Sequence, residues 1–235
     1  MTTAREQILG AVKQSLKKNN PSGDRPDELA QRLSDPKANL IPERSRLPHP
    51  AQVDLMESML IELSATVKRV GSLDEVPGEV IDYLKTRNLP QEVRLAPSKE
   101  LLALGWDDQS LLKVSTGPAR EPDQVSVTGA FAAVAETGTL MLHSGPEGPT
   151  TLNFLPENHI VVLRSSQVVG AYEEGWARLR KAFGNGTMPR TLNMISGPSR
   201  TGDIEQKIEL GAHGPRRLHV IIVEDGNAES GDSAG

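Results

Sequence analysis

Ser-Gly-Pro-Ser-Arg-Thr-Gly-Asp-Ile-Glu, residues 196–205, is the stretch best supplied with groups that hold an anion. Ser196, Ser199 and Thr201 offer short hydroxyls, and Gly197 leaves backbone N–H groups open. Arg200 adds a planar guanidinium suited to a carboxylate or phosphate. The stretch follows a strand-like Thr-Leu-Asn-Met-Ile at 191–195 and precedes a short helix expected over 204–210. A helix start adds unpaired N–H groups and partial positive charge. Open α/β sheets bind ligands beyond the carboxyl ends of their strands, where such a loop lies. Asp203 fits the N-cap, with Gln206 in capping-box position; direct contact with the ligand is its other role. Pro198 and Gly202 are turn residues.

Two further segments carry candidate groups. In Ala-Phe-Ala-Ala-Val-Ala-Glu-Thr-Gly-Thr-Leu-Met-Leu-His-Ser-Gly, 130–145, Glu136 stands in apolar surroundings. Burial disfavours a charged carboxylate and would poise it for acid–base work. A structural carboxylate accepting backbone N–H groups at a turn is the alternative. Thr137, Gly138 and Thr139 either help cradle a ligand or make a tight turn into the next strand. In Gly-Ala-His-Gly-Pro, 211–215, His213 sits among turn residues, able to give or take a proton, or simply structural. Gly214 is its neighbour in the candidate site, and Gly211 fits a helix C-cap. His143 and His159 border strands and are weaker candidates.

Other chemistries find no template. No cysteine is present, so the chain holds no thiol nucleophile, disulfide or thiolate ligand for zinc or iron–sulfur clusters. Its five histidines form no HxH, HExxH or HxxxH pair, and no metal site is expected. Gly-Asn-Gly at 184–186 lacks the third glycine of a dinucleotide loop and follows a helix. Neither a phosphate loop nor a GxSxG elbow is present.

The elements that must position these groups follow from periodicity. Ile8, Leu9, Val12 and Leu16 predict a helix over 4–18. Pro21, Pro26, Pro36, Pro42, Pro48 and Pro50 then argue against a long helix, so 1–50 is read as a helix and extended arm, ordered on a neighbour or loose. From 51 the pattern alternates. Helices are expected at 51–65, 74–88, 98–104, 171–183 and 204–210. Strands are expected at 66–70, 92–96, 111–115, 125–127, 138–143, 159–164, 191–195 and 217–223. Alternation of this kind indicates an α/β domain over 51–225 with an open, largely parallel sheet flanked by helices. Leu-His-Val-Ile-Ile-Val, 218–223, suits a strand covered on both faces. The polar tail 226–235 reads as disordered.

Composition narrows the partners. With 235 residues, 37% of them apolar, the chain can bury a sizeable core. Lys+Arg 26 against Asp+Glu 31 gives −5, and aromatics are 3%. That balance argues against nucleic acid and membrane surfaces. No apolar run approaches ~18 residues, so no membrane span is expected. The N-terminus lacks the apolar core of a signal peptide, and a cytoplasmic setting fits the cysteine count.

Taken together, Ala-Glu-Thr-Gly-Thr-Leu (135–140), the 196–205 stretch and Gly-Ala-His-Gly-Pro-Arg-Arg-Leu-His-Val-Ile-Ile-Val (211–223) resemble the lactate-utilisation protein C family, or LUD domain. The match in order and spacing covers about 110–225. The resemblance implies a fold similar to the sugar-phosphate isomerase, CoA-transferase and formyltetrahydrofolate cyclo-ligase group. It also implies a place in bacterial three-component systems that oxidise L-lactate to pyruvate, with iron–sulfur partner subunits. The chain departs from many relatives in lacking an arginine soon after Ser144–Gly145, reading Glu-Gly-Pro-Thr-Thr at 147–151. The expectation is a non-redox subunit, without a cofactor of its own, that binds a small anion or assists assembly. A free-standing transferase or isomerase using Glu136, and a pure scaffold, are the alternatives; oligomeric state is left open.

Overall fold

The computed structural model describes residues 3–18, 25–109, 111–184, 186–204, 207–211 and 213–225. The expected disordered tail, 226–235, lies outside them. The chain divides into two compact units, Met1–Ala38 and Asn39–Gly235.

The first unit holds α1 (Ala4–Lys18) and α2 (Arg25–Ser34). Thr3 caps α1: its hydroxyl accepts the Glu6 N–H, and the Glu6 carboxylate accepts the Thr3 N–H, a capping box. The helix α2 corrects the expectation of an extended arm. Pro26 is its second residue, where the missing N–H would have had no partner in the helix. Proline therefore starts this helix rather than forbidding it.

The second unit runs α3 (His49–Glu62), β1 (Thr66–Val70), α4 (Val76–Thr86), β2 (Glu92–Leu95), α5 (Lys99–Leu102), β3 (Lys113–Thr116), β4 (Val125–Gly129), β5 (Ala132–Val134), β6 (Thr139–His143), β7 (Asn158–Arg164), β8 (Val168–Val169), α6 (Tyr172–Phe183), β9 (Leu192–Ile195), β10 (Arg200–Ile204), β11 (Lys207–Leu210) and β12 (Arg217–Val223). Six strands form a parallel sheet ordered β1-β12-β7-β4-β2-β3. A second sheet, ordered β8-β5-β6-β9, is mixed: β5 runs parallel to β8, while β5–β6 and β6–β9 are antiparallel. The fold is α/β, as expected, but this second sheet is an addition to it.

Side chains alternate across the central strands, so each strand feeds two cores. One face of the large sheet presents Val125, Val127, Ile160, Val162, Ile221 and Val223 to α4 and to Trp106. The other presents Val161, Leu163, Leu218, Val220 and Ile222 to α3 and to Leu140 and Leu142 of the second sheet. Each fully buried Leu or Ile contributes roughly 1.5–3 kcal/mol. Gly175 lets α6 approach the outer face of the second sheet, because a methyl there would stand 2.7 Å from the Met141 sulfur.

Candidate functional site

Two of the three candidate segments meet. The loop 196–200 leaves β9, and the turn 213–215 leads into β12. Gly197 holds a left-handed φ of +80°, and its α-carbon comes so near α3 that a methyl would stand 2.6 Å from the Leu63 carbonyl oxygen. The loops are then stitched together by backbone. Ser199 N–H donates to Pro215 O (2.9 Å) and Gly211 N–H donates to Ser199 O (3.0 Å). The Ser199 hydroxyl accepts the His213 N–H at 3.3 Å. Ser196, Gly197, Ser199, Arg200, His213 and Gly214 thereby line one cleft of about 260 Å³.

The segment after this loop overturns part of the expected anion cradle. Arg200–Ile204 and Lys207–Leu210 pair as antiparallel strands, with Arg200 opposite Leu210 and Thr201 opposite Glu209, where a helix was expected. Asp203 therefore lies in β10 rather than at a helix start. Its expected capping partner Gln206, and the side chains of Thr201 and Asp203, lie outside the described residues. Gly211 is no helix C-cap either; it turns the chain after β11 at φ +87°, where a methyl would overlap the Arg216 side chain at 2.0 Å. The Arg200 guanidinium donates to the Leu63 carbonyl at the end of α3.

The third segment is joined to the cleft only at its rim. Glu136 is buried in a 3-10 turn, Ala135–Thr137. One carboxylate oxygen accepts the Tyr172 N–H at 3.4 Å, and the other has no partner among the described residues. Glu136 does not line the cleft. Gly138 takes φ +61°, with a methyl position 2.9 Å from Met59 Cβ, so close packing on α3 accounts for this glycine. Thr137 and Thr139 share a 2.7 Å hydrogen bond, and the Tyr172 hydroxyl reaches them at 3.1 and 2.8 Å. Thr139 continues to Ser196 at 2.6 Å, which is the link to the cleft. Tyr172→Phe removes one member and leaves the Thr139–Ser196 bond. It is expected to cost about 1 kcal/mol in urea denaturation; no measurable loss would show that the hydroxyl chain adds nothing.

Asn153 and Phe154, which the sequence did not single out, also line the cleft, and so does His159, which bordered a strand and ranked as a weaker candidate. His159 is the second residue of β7, 1% exposed, with Nε2 2.7 Å from the Thr128 hydroxyl and Nδ1 without a partner among the described residues. Burial pushes its pKa down to about 3, so it is a neutral imidazole at pH 7. The available signal was a polar residue on the inward face of an otherwise apolar strand.

The cleft also sits elsewhere than the sequence implied. The loop 196–200 follows a strand of the second sheet, and the cleft opens over the amino ends of β7 and β12 in the large one. A separate cleft of about 380 Å³ occupies the carboxyl ends of β2 and β4, lined by Ser98, Lys99, Thr128, Gly129 and Gln167 among others. Asn153 borders both clefts. Among the described residues no three His, Asp or Glu side chains are grouped to hold a metal ion, and no helix is long and apolar enough to cross a membrane.

Residues 121–223 match the LUD domain family. The chain is 41% identical over 98 residues to a Lactate utilization protein C of Deinococcus radiodurans, covering 41% of this chain and 45% of that one. It is 32% identical over 120 residues to a Lactate utilization protein C of Shouchella clausii, covering 51% and 52%. These matches span about half the length of the curated relatives. A crystal structure of a DUF162 family protein from Deinococcus radiodurans aligns with a TM-score of 0.56 and 27% identity, covering 75% of this chain and 99% of that one.

Proposed function

We propose that this chain, whose residues 121–223 match the LUD domain family and which is similar to proteins named Lactate utilization protein C over about half of their length, is a non-redox, ligand-binding component of a bacterial L-lactate utilisation system. The observation that carries the proposal is the cleft in which Ser199, Arg200 and His213 converge. Arg200 and a histidine in a concave site suit a small carboxylate. The absence of cysteine from the whole sequence leaves no thiolate for an iron–sulfur cluster. In this proposal electron transfer runs through iron–sulfur partner subunits in the cytoplasm, and this chain holds the acid or assists assembly. Glu136, which does not line the cleft, takes a structural part in this proposal.

Isothermal titration with L-lactate, pyruvate, ATP and CoA tests it. Lactate or pyruvate is expected to bind in the millimolar range or tighter, and Arg200→Ala to weaken that binding at least tenfold. Because Arg200 also holds α3, a melting curve must show the variant folded. No binding by either acid, together with normal growth of an Arg200→Ala strain on lactate, would end the proposal.

A further inference from the structure

The cleft has an apolar wall that a three-carbon acid does not need. Phe154 and Met194 both line it, yet keep 42% and 40% of their surfaces exposed. Ile195 and Leu218 complete the apolar part. Large hydrophobic side chains left wet in a concave site mark where an apolar group docks. The size agrees: about 260 Å³ approaches the ~300 Å³ at which pockets for drug-sized ligands begin.

The polar groups divide by charge. Arg200 is cationic, and after donating to Leu63 its guanidinium keeps further donors for a carboxylate. His159 lies beneath the cleft as a neutral imidazole, its ring nitrogens buried, and adds no charge to it. Gly214 adds no side chain between them: a methyl there would stand 3.4 Å from Ser199 Cβ and 3.7 Å from the Phe154 ring. The space between polar and apolar lining is thus left open by the absence of a Cβ.

We infer that the acid held in this cleft is a 2-hydroxy or 2-oxo acid whose apolar side chain is larger than the methyl of lactate and lies against Phe154 and Met194. This rests on the ligand-binding proposal above and specifies its substrate class. The carboxylate faces Arg200, and the side chain covers the exposed apolar wall.

Calorimetric titration of the full chain with L-lactate, L-2-hydroxybutyrate and L-2-hydroxyisocaproate reads this directly. Affinity is expected to rise about fourfold for each methylene buried. Phe154→Ala and Met194→Ser, both at exposed side chains and so compatible with folding, are expected to flatten that series. If the native chain binds lactate but the longer acids no tighter, the inference falls while the lactate proposal stands. If the rise persists in both variants, the side chain lies elsewhere and the inference also falls. If no acid binds, lactate included, both fall together.

Discussion

Gly170→Ala is expected to leave little folded protein, and whatever folds should melt far below the native chain. A methyl at this position would stand 1.9 Å from the Ser45 carbonyl oxygen and 2.8 Å from Gln52 Nε2. Neither backbone can easily give. Ser45 is 1% exposed, and its hydroxyl donates to Pro42 O at 2.6 Å. Gly170 is held in turn by its own bonds: its carbonyl accepts the Glu136 N–H at 3.1 Å, and its N–H donates to the Glu174 carboxylate at 3.1 Å. Overpacking into a well-filled region costs about 1–3 kcal/mol, and a backbone overlap belongs above that range. Against a total stability of about 5–15 kcal/mol, the loss is severe. Gly129→Ala is the control, since nothing lies within 4 Å of its methyl position. Thermal denaturation of both compares them; a Gly170→Ala melting temperature within a few degrees of native would refute the packing account.

Mild acid is the second large effect. His159 and His219 are 1% and 4% exposed. Burial pushes their pKa values down to about 3 and about 4, and for His219 the Arg87 charge adds to the fall while Thr66 opposes it. In the unfolded chain both titrate near the ordinary 6.5. Above that value both states are neutral and stability does not change with pH from this source. Below it the unfolded chain binds protons that the native chain refuses, so stability falls as pH falls. Each histidine removes about 1.4 kcal/mol per pH unit until its native pKa is reached, so the two together remove roughly 2.7. His219 Nε2 lies 3.8 Å from Glu79 Oε1, but with the imidazole neutral this contact is no ion pair at pH 7. Urea midpoints measured from pH 7 to 4.5 should drop steeply. His219→Phe, which keeps an aromatic ring stacked on Tyr83 (4.4 Å between centroids), should halve the slope. A flat midpoint over this interval would overturn the assignment of neutral buried histidines.

Strands with strong patterns were legible. His-Ile-Val-Val-Leu-Arg and Leu-His-Val-Ile-Ile-Val both became central strands of the large sheet, because fully covered parallel strands announce themselves as apolar runs. Ser98 was legible as a cap and accepts the Leu101 N–H at 3.4 Å. The second sheet was not, because its strands are two to five residues long and Leu140 pairs with Ile195 from far along the chain. The segment 200–210 misled for a related reason. Asp203 and Gln206 have capping-box spacing, and Ile204 and Ile208 have helical spacing, yet one turn of such signals is weaker than a ladder closed between Arg200 and Leu210. At the site, the loops were visible because glycine, serine and arginine cluster there. The floor was less so: Asn153 and Phe154 carry no local signature, His159 showed only as a polar residue in an apolar strand, and all three become neighbours of Ser199 only through β7, β12 and their connections.

Arg200 serves two masters. Its guanidinium closes the last turn of α3 by binding the Leu63 carbonyl, and the same group borders the cleft. Any carboxylate that draws it fully inward leaves that carbonyl bare, so occupancy and the tightness of the helix terminus compete for one cation. Filling the cleft would then register as faster amide exchange at Leu63, Ser64 and Ala65, a signal carried to the far side of the loop without any domain having to move.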